Sequence, residues 1–345
     1  MKKLGKKIGL CLCCFGGMLG AVHAQQTDSN RHQWCTRAEI ETRIDYDFVH
    51  SDVDGSNRSA FQGRYLNFRL DGELTPTLSW HWRQRINAGN MGFSTTFFEG
   101  TDWMHLDWQF APHFSVSAGK EVVAIGGWEY DLPPIEMYYW STFWNNVNCY
   151  EVGASLHYTD NRNHVQLQVT NSPYITGKLE NLFAYNLIWY GNFNRFKPIY
   201  STNLIEYAHG SYIHYINLGN KFDFGKAYVY VDLMHRATDL QERYFFMDYS
   251  IVAEAKAYIG ERWTVFSKGG YDENCTENPS GSIAPDAYVV PGTKYRYIGI
   301  GGEFTPLLGR NSVRLHTFIV LKDDMATHSR ILEADAGVYW RIGIK

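Results

Sequence analysis

Apolar and polar residues alternate along almost the whole chain, and the alternation is clearest in residues 37–48. One set of alternate positions there is mostly apolar, and the other set is fully charged. Successive side chains of a β-strand point to opposite faces of a sheet, so this period of two predicts a strand with two different faces. The first face carries Ala38, Ile40, Thr42, Ile44, Tyr46 and Phe48, and the second carries Arg37, Glu39, Glu41, Arg43, Asp45 and Asp47.

The same period recurs in about 16 segments of roughly ten residues, the length that a tilted strand needs to cross a membrane. Short turns alternate with longer connections. The pattern therefore predicts an all-β fold, an antiparallel transmembrane β-barrel of about 16 strands. The predicted strands are 37–48, 66–74, 78–87, 104–110, 114–118, 149–158, 164–171, 182–190, 198–207, 212–222, 226–235, 245–259, 263–271, 294–304, 313–322 and 329–342. The predicted longer connections are 49–59, 88–100, 119–148, 172–181, 208–211, 236–243, 272–293 and 323–328.

A soluble β-sandwich or a β-helix would also show alternation, because one face of its strands is apolar. Three features favour the membrane barrel. The strands form one long run without a domain break, the connections alternate in length, and aromatic residues lie near strand ends, as in the aromatic girdles of membrane barrels. Trp80 and Trp82, Trp108 and Phe110, and Tyr339 and Trp340 are examples.

Residues 1–24 have the organisation of a signal peptide. Four lysines precede an apolar run that lacks charge, and Val22-His23-Ala24 forms a plausible cleavage site before Gln25. The run is too short for a spanning helix of about 20 residues. The chain 25–345 is thus predicted to be exported to the bacterial outer membrane, in contact with membrane lipid and lipopolysaccharide. Removing four of 32 basic residues leaves 28 against 36 acidic ones, a net charge of −8, and no basic block indicates a nucleic-acid partner.

The connection 119–148 combines Pro133-Pro134 with many aromatic residues. An exposed loop has little reason to carry so many aromatics, whereas a loop folded into the lumen can pack them against the wall. We therefore predict a third long loop that narrows the pore and whose acidic residues add negative charge to it. A packed extracellular cap is the other interpretation. The acids predicted to line the constriction are Glu121, Glu129, Asp131 and Glu136.

This part of the chain resembles the phosphate-selective porin O/P family, most closely its Bacteroidetes-type members. The resemblance covers residues 114–158. It implies a sixteen-stranded barrel, usually a homotrimer, in which the third long loop constricts a pore for small solutes, with phosphate as the solute of the founding members. The matching segments are Gly119-Lys120, Gly126 to Glu129, Pro134-Ile135-Glu136-Met137-Tyr138, Phe143-Trp144-Asn145-Asn146 and Tyr150 to Gly153.

Charge in the predicted lumen departs from the family pattern. The founding members owe their anion selectivity to channel lysines, but Lys120 and Lys256 are among the few inward lysines here. The inward cations are mostly arginines, and many inward carboxylates face them. We predict opposed charge at the constriction, with loop acids facing the wall arginines Arg43, Arg69, Arg83 and Arg85. A general or mildly cation-preferring pore follows, with at most weak preference for phosphate.

Catalytic and metal-binding motifs do not stand out from the sequence. Five histidines fall on predicted inward faces, namely His81, His105, His157, His164 and His316. They could bind a metal, but histidines lining a wet lumen explain them as well, and we expect no metal, no cofactor and no catalytic residues. The competing functional hypothesis is a barrel enzyme, or an adhesion or lipid-handling scaffold, with a filled lumen. A porin instead needs an open passage.

Overall fold

In a computed structural model, the chain is described over residues 33–86, 98–174, 181–239, 241–277, 285–309 and 311–345. The predicted signal peptide lies outside these residues. None of the described helices is long and apolar enough to cross a membrane. The strands are β1 (Arg37–Ser51), β2 (Asn57–Thr75), β3 (Leu78–Arg85), β4 (Thr101–Ala111), β5 (Phe114–Val122), β6 (Tyr150–Thr159), β7 (Asn163–Asn171), β8 (Phe183–Gly191), β9 (Phe196–Ala208), β10 (Ser211–Asp223), β11 (Ala227–Ala237), β12 (Asp248–Ile259), β13 (Trp263–Asn274), β14 (Lys294–Leu307), β15 (Ser312–Asp324) and β16 (Ser329–Gly343).

The strands close into one barrel. Each pairs with its neighbours in sequence, and β1 pairs antiparallel with β16 to complete the ring. Closure satisfies the backbone of every strand without leaving an edge, which is the condition for strands to cross a bilayer. The predicted fold class is confirmed.

Side-chain parity in the barrel is the one expected from the sequence. In β1, the side chains of Arg43 and Asp45 are buried inside, whereas Ile44, Tyr46 and Phe48 are exposed on the outer surface. Strand β4 repeats the pattern, with His105 and Asp107 inside and apolar residues outside. The apolar face thus contacts lipid, and the charged face lines the interior.

The connections differ from the prediction mainly at the first hairpin. The connection between β1 and β2 was expected at 49–59 but comprises only residues 52–56. Phe48 pairs with Ser59 and Val49 pairs with Arg58, so the two strands together extend beyond their predicted ends. Gly55, in the left-handed region at φ 62°, permits the tight reversal. The hairpins at 209–210 and 325–328 are also short. Long connections at the same end of the barrel are 86–100, 123–149, 172–182, 238–247 and 275–293.

The third long loop is structured. It contains helix α1 (Trp128–Asp131), a single 3₁₀ turn (Pro134–Glu136) and helix α2 (Thr142–Asn146). Pro134 occupies the first position of the 3₁₀ turn, where its missing N–H costs nothing. The Ser141 hydroxyl accepts a hydrogen bond from the Trp144 N–H and caps α2. Pro and Ser thus set where the short helices begin.

Candidate pore constriction

The third loop, residues 123–149, enters the barrel at a pair of glycines. Gly126 brings its N–H to 2.8 Å from the Ser201 hydroxyl of β9, and an added Cβ would lie only 3.0 Å from that oxygen. Gly127 has φ 102°, a conformation that other residues rarely adopt. Together they let the backbone approach the wall closely and turn into α1.

A wall carboxylate then caps α1. Asp232 of β11 accepts hydrogen bonds from the backbone N–H groups of Trp128 (2.9 Å) and Glu129 (2.7 Å). These groups have no partners within a helix, and a carboxylate there also complements the partial positive charge of the helix start. The N-terminus of α1 is therefore anchored by a strand more than 100 residues away in sequence.

Glu129 is the central anchor of the loop. Its carboxylate lies 2.6 Å from the Lys268 ammonium of β13 and accepts hydrogen bonds from the Tyr297 hydroxyl (3.1 Å) and from Ser141. Only 7% of the Glu129 side chain and 4% of the Lys268 side chain are exposed. A buried pair with this many hydrogen bonds fixes the position of the loop, because removing either partner would leave the other charge buried and uncompensated.

The tip of the loop reaches across to the first strand. Arg43 donates hydrogen bonds to the carbonyl oxygens of Ile135 and Met137, and its guanidinium lies 4.6 Å from the ring centroid of Tyr138. The Tyr138 hydroxyl donates to Glu303 of β14 at 2.8 Å. Burial raises the pKa of the Tyr138 phenol well above its usual value, so this group stays a donor.

The loop lies against one side of the interior. We call the inner faces of β8–β14 the covered wall. Several of its polar side chains are buried and bind loop backbone, as Asp272 does by accepting a hydrogen bond from the Thr142 N–H at 2.8 Å. An apolar cluster accompanies these bonds and includes Val123, Ile125, Phe143, Ile205, Ile213, Tyr215 and Met234. Aromatic and aliphatic loop residues thus pack on the wall, as predicted for a loop folded inward.

The other side of the interior is different. We call the inner faces of β2–β6 the open wall. Three charged side chains there remain partly accessible, with exposed fractions of 29% for Arg69, 24% for Arg85 and 30% for Asp107, whereas Arg83 and Asp102 of the same wall are buried. Trp103 lies among them, with the guanidinium of Arg83 4.7 Å from its ring centroid. The open wall therefore borders the space that the loop leaves free.

Each of the four arginines predicted at the constriction is paired with a neighbouring carboxylate. Arg43 contacts Asp45 at 2.6 Å, and Arg69 contacts Asp71 at 2.8 Å. A single residue, Asp102 of β4, serves both remaining arginines. It lies 3.2 Å from Arg83 and 3.0 Å from Arg85. Charge on this wall is thus compensated within the wall.

Loop acids were predicted to face Arg43, Arg69, Arg83 and Arg85, but the ion pairs described for these acids are with other cations of the wall. Glu129 pairs with Lys268 instead, and Glu136 lies 3.6 Å from Arg314 of β15. Asp131 accepts a hydrogen bond from the Tyr190 hydroxyl at 3.3 Å. The loop crosses to the β8–β15 side, so its acids meet cations from the second half of the chain.

Glu121 is not a loop residue. Strand β5 extends to Val122, so the loop begins at 123 rather than 119, and Glu121 belongs to the wall. Its carboxylate accepts a hydrogen bond from the Ser155 hydroxyl of β6 at 2.6 Å. The strand continues because residues up to Val122 still pair with β6, as far as Tyr150.

Three residues important for the interior were not selected from the sequence. Asp232 and Lys268 hold the loop, but their role appears only once the barrel is closed. Arg64 lies at a β-bulge opposite Arg43 and Ile44, where the register shifts. Because Arg64 is the extra residue of this bulge, its side chain points inward to Asp45 and Asp47. The alternation of apolar and polar residues along the sequence does not predict this direction.

Comparison with known proteins agrees with this architecture. An anion-selective porin from Comamonas acidovorans superimposes with a TM-score of 0.61 at 12% identity, covering 88% of this chain and 98% of that one. The outer membrane channel DcaP of Acinetobacter baumannii gives 0.60 at 9% identity, covering 89% and 96%. OmpT, an outer membrane protein of Vibrio cholerae, gives 0.59 at 8% identity, covering 92% and 99%. No curated protein sequence matches the chain.

A closed barrel of sixteen strands with a loop folded inside defines the class of bacterial outer-membrane porins. Identities as low as those of the structural neighbours establish the fold alone. At the level of sequence, residues 37–183 match the family model for phosphate-selective porin O and P. The resemblance predicted from the loop is confirmed, and the chain is an outer-membrane porin.

Proposed function

We propose that this porin is a passive diffusion pore for small hydrophilic solutes and ions, mildly cation-preferring and without selectivity for phosphate. The observation that carries the proposal is the pairing of the open-wall arginines with carboxylates of the same wall. Arg69 is matched by Asp71, and Arg83 and Arg85 share Asp102.

Selectivity for a multivalent anion needs a ladder of uncompensated cations along the path, since each neighbouring carboxylate cancels part of the attraction. The inward lysines do not supply such a ladder. The Lys268 ammonium is buried against Glu129, and Lys256 lies 3.8 Å from Glu303. Lys120, predicted to face inward, lies opposite Met104 and Val152, which are exposed on the outer surface, and directs its ammonium to the carbonyl oxygens of Phe98 and Glu99.

The permeation path in this proposal follows the open wall. Loop and covered wall fill their side of the barrel with apolar side chains and satisfied hydrogen bonds, so water has little access there. Partly exposed charges such as Arg69 and Asp107 lie on the other side, where hydrated ions can exchange contacts. Glu136 would border the narrow part, since its side chain lies at the loop tip and is 40% exposed, whereas the buried Arg43 holds the tip in place.

Reversal potentials in a potassium chloride gradient across a planar bilayer test the proposal. We expect an open channel whose reversal potential is near zero or shifted slightly towards the cation value. Added phosphate should leave the chloride current almost unchanged. Strong anion selectivity, with block by submillimolar phosphate, would refute the proposal.

A barrel enzyme, or a scaffold with a filled lumen, remains the competing function. Absence of any conductance from correctly folded protein would favour it. The family resemblance also supports a homotrimer in the outer membrane, in contact with lipid and lipopolysaccharide. Native mass spectrometry of the detergent-solubilised protein should then give a mass of three chains.

A further inference from the structure

Two histidines and a carboxylate converge on the open wall near the short-turn end of the barrel. His81 of β3 lies directly opposite His105 of β4, and Asp107 follows two positions along β4 on the same face. The Asp107 carboxylate oxygen Oδ2 is 3.1 Å from Nε2 of His81 and 3.4 Å from Nε2 of His105. One candidate ligand atom from each residue lies within 4.8 Å of the others.

We propose that His81, His105 and Asp107 form a binding site for a divalent transition metal ion such as Zn²⁺. Zinc bonds of about 2.0–2.2 Å in a tetrahedral site place neighbouring ligand atoms roughly 3.3 Å apart, close to the two distances observed. Imidazole and carboxylate are ligands that zinc accepts, whereas Ca²⁺ and Mg²⁺ require mostly oxygen.

Asp71 of β2 supports this assignment. Its Oδ1 lies 2.8 Å from Nδ1 of His81, on the side of the ring away from Asp107. A carboxylate that accepts the second ring N–H of a histidine fixes the ring and directs the other nitrogen towards the metal. Arg69 holds Asp71 from the other side at 2.8 Å, so the carboxylate is itself positioned.

Exposure to solvent distinguishes this site from a second group of histidine and aspartate residues. Asp45, His316 and Asp335 also lie close together, but their side chains are fully buried and Arg43 already contacts Asp45 at 2.6 Å. The His81, His105 and Asp107 side chains are instead 28%, 20% and 30% exposed. Asp107 also lines a cavity of about 440 Å³ between the short turns.

Three protein ligands leave at least one coordination position for water, which is the arrangement of an exchangeable rather than a closed structural site. The site would therefore bind a metal ion reversibly from the lumen. Its position on the open wall places the ion beside the permeation path, and this consequence alone rests on the proposed pore function. Binding itself does not require that the pore conducts.

Titration calorimetry with Zn²⁺ on metal-free, untagged protein in detergent tests the site directly. We expect one Zn²⁺ per chain, a loss of at least about tenfold in affinity in His105→Gln and Asp107→Asn, and a smaller loss in Asp71→Asn. His164→Gln is the matched control, since His164 faces inward on β7 but bonds Thr159 instead. Wild-type affinity in His105→Gln, or equal loss in His164→Gln, would overturn the proposal.

A second measurement needs no variant. Co²⁺ bound to wild-type protein should give the intense visible absorption of tetrahedral coordination, and Zn²⁺ should displace it. Spectra typical of six-coordinate aqueous Co²⁺ at saturating protein would refute the site. Zn²⁺ should also reduce the bilayer current of wild type more than that of His105→Gln. A silent bilayer with intact Zn²⁺ binding would count against the pore and not against the site.

Discussion

The covered wall and the open wall both carry charged inward residues but use them differently. On the covered wall, Asp232 and Lys268 are buried and bind the third loop. On the open wall, Arg69 and Asp107 keep part of their surface for solvent and pair with neighbouring wall residues. A charged interior is therefore not by itself evidence for a wide pore, since some of its charged residues can serve to hold a loop.

The difference follows from what each wall faces. Loop backbone brings N–H and C=O groups into the barrel, and each must find a partner when buried. Wall side chains supply those partners, as Gln168 does by accepting from the Ala124 N–H at 2.7 Å and Asn203 does by donating to the Ala124 carbonyl at 2.8 Å. On the open wall, Arg69 pairs with Asp71 and Arg83 pairs with Asp102 instead.

The largest expected effect is on loop docking in Lys268→Met. Removing the ammonium leaves Glu129 buried and uncompensated, which should weaken docking by about 3–5 kcal/mol. Hydrogen exchange of amides in the loop, followed by mass spectrometry, measures the change. The double variant with Glu129→Gln should lose less than Lys268→Met.

Arg69→Met is the matched change on the open wall. Its pair with Asp71 is partly exposed, so the loss of stability should be about 1 kcal/mol or less. Equal losses in Lys268→Met and Arg69→Met would remove the distinction between the two walls.

Replacement of residues 128–146 by a short Gly-Ser linker should raise single-channel conductance several-fold. The helices and aromatics of this segment fill the covered side, so their removal widens the path. Single-channel recording checks the result, with circular dichroism to confirm that the barrel remains folded. Unchanged conductance would mean that the segment does not limit the passage.

Smaller effects are expected from single charges on the open wall. Asp71→Asn should shift the reversal potential towards anions, and Arg69→Gln should shift it towards cations, each by a few millivolts because the partner charge remains nearby. Glu129→Gln, on the covered side, should leave the reversal potential unchanged. A shift in Glu129→Gln as large as that in Asp71→Asn would place Glu129 on the path.

Sequence reasoning succeeded where structure is set by local pattern. Alternation in β1 gave both the strand and the inward direction of Arg43 and Asp45, because the period of a strand is fixed by backbone geometry. The aromatic content of the third loop likewise indicated that it folds inward. Both conclusions depend on neighbours in sequence.

Pairing between distant residues could not be read in the same way. Lys268 and Glu129 are 139 positions apart, and their contact depends on how the loop crosses a closed barrel. Arg64 faces inward through a bulge that breaks the alternation, and Glu121 remains in a strand because pairing with β6 continues. Register and closure decide these positions.

Cysteine accessibility tests most directly whether solutes pass along the open wall. In a background lacking Cys35, Cys149 and Cys275, Ser79→Cys places a thiol on the open wall, and Ser201→Cys places one under the loop. A charged, membrane-impermeant methanethiosulfonate reagent should label Ser79→Cys rapidly and reduce its bilayer current, while Ser201→Cys stays unlabelled and unaffected. Rapid labelling and current block at Ser201→Cys, with Ser79→Cys unreactive, would contradict the account.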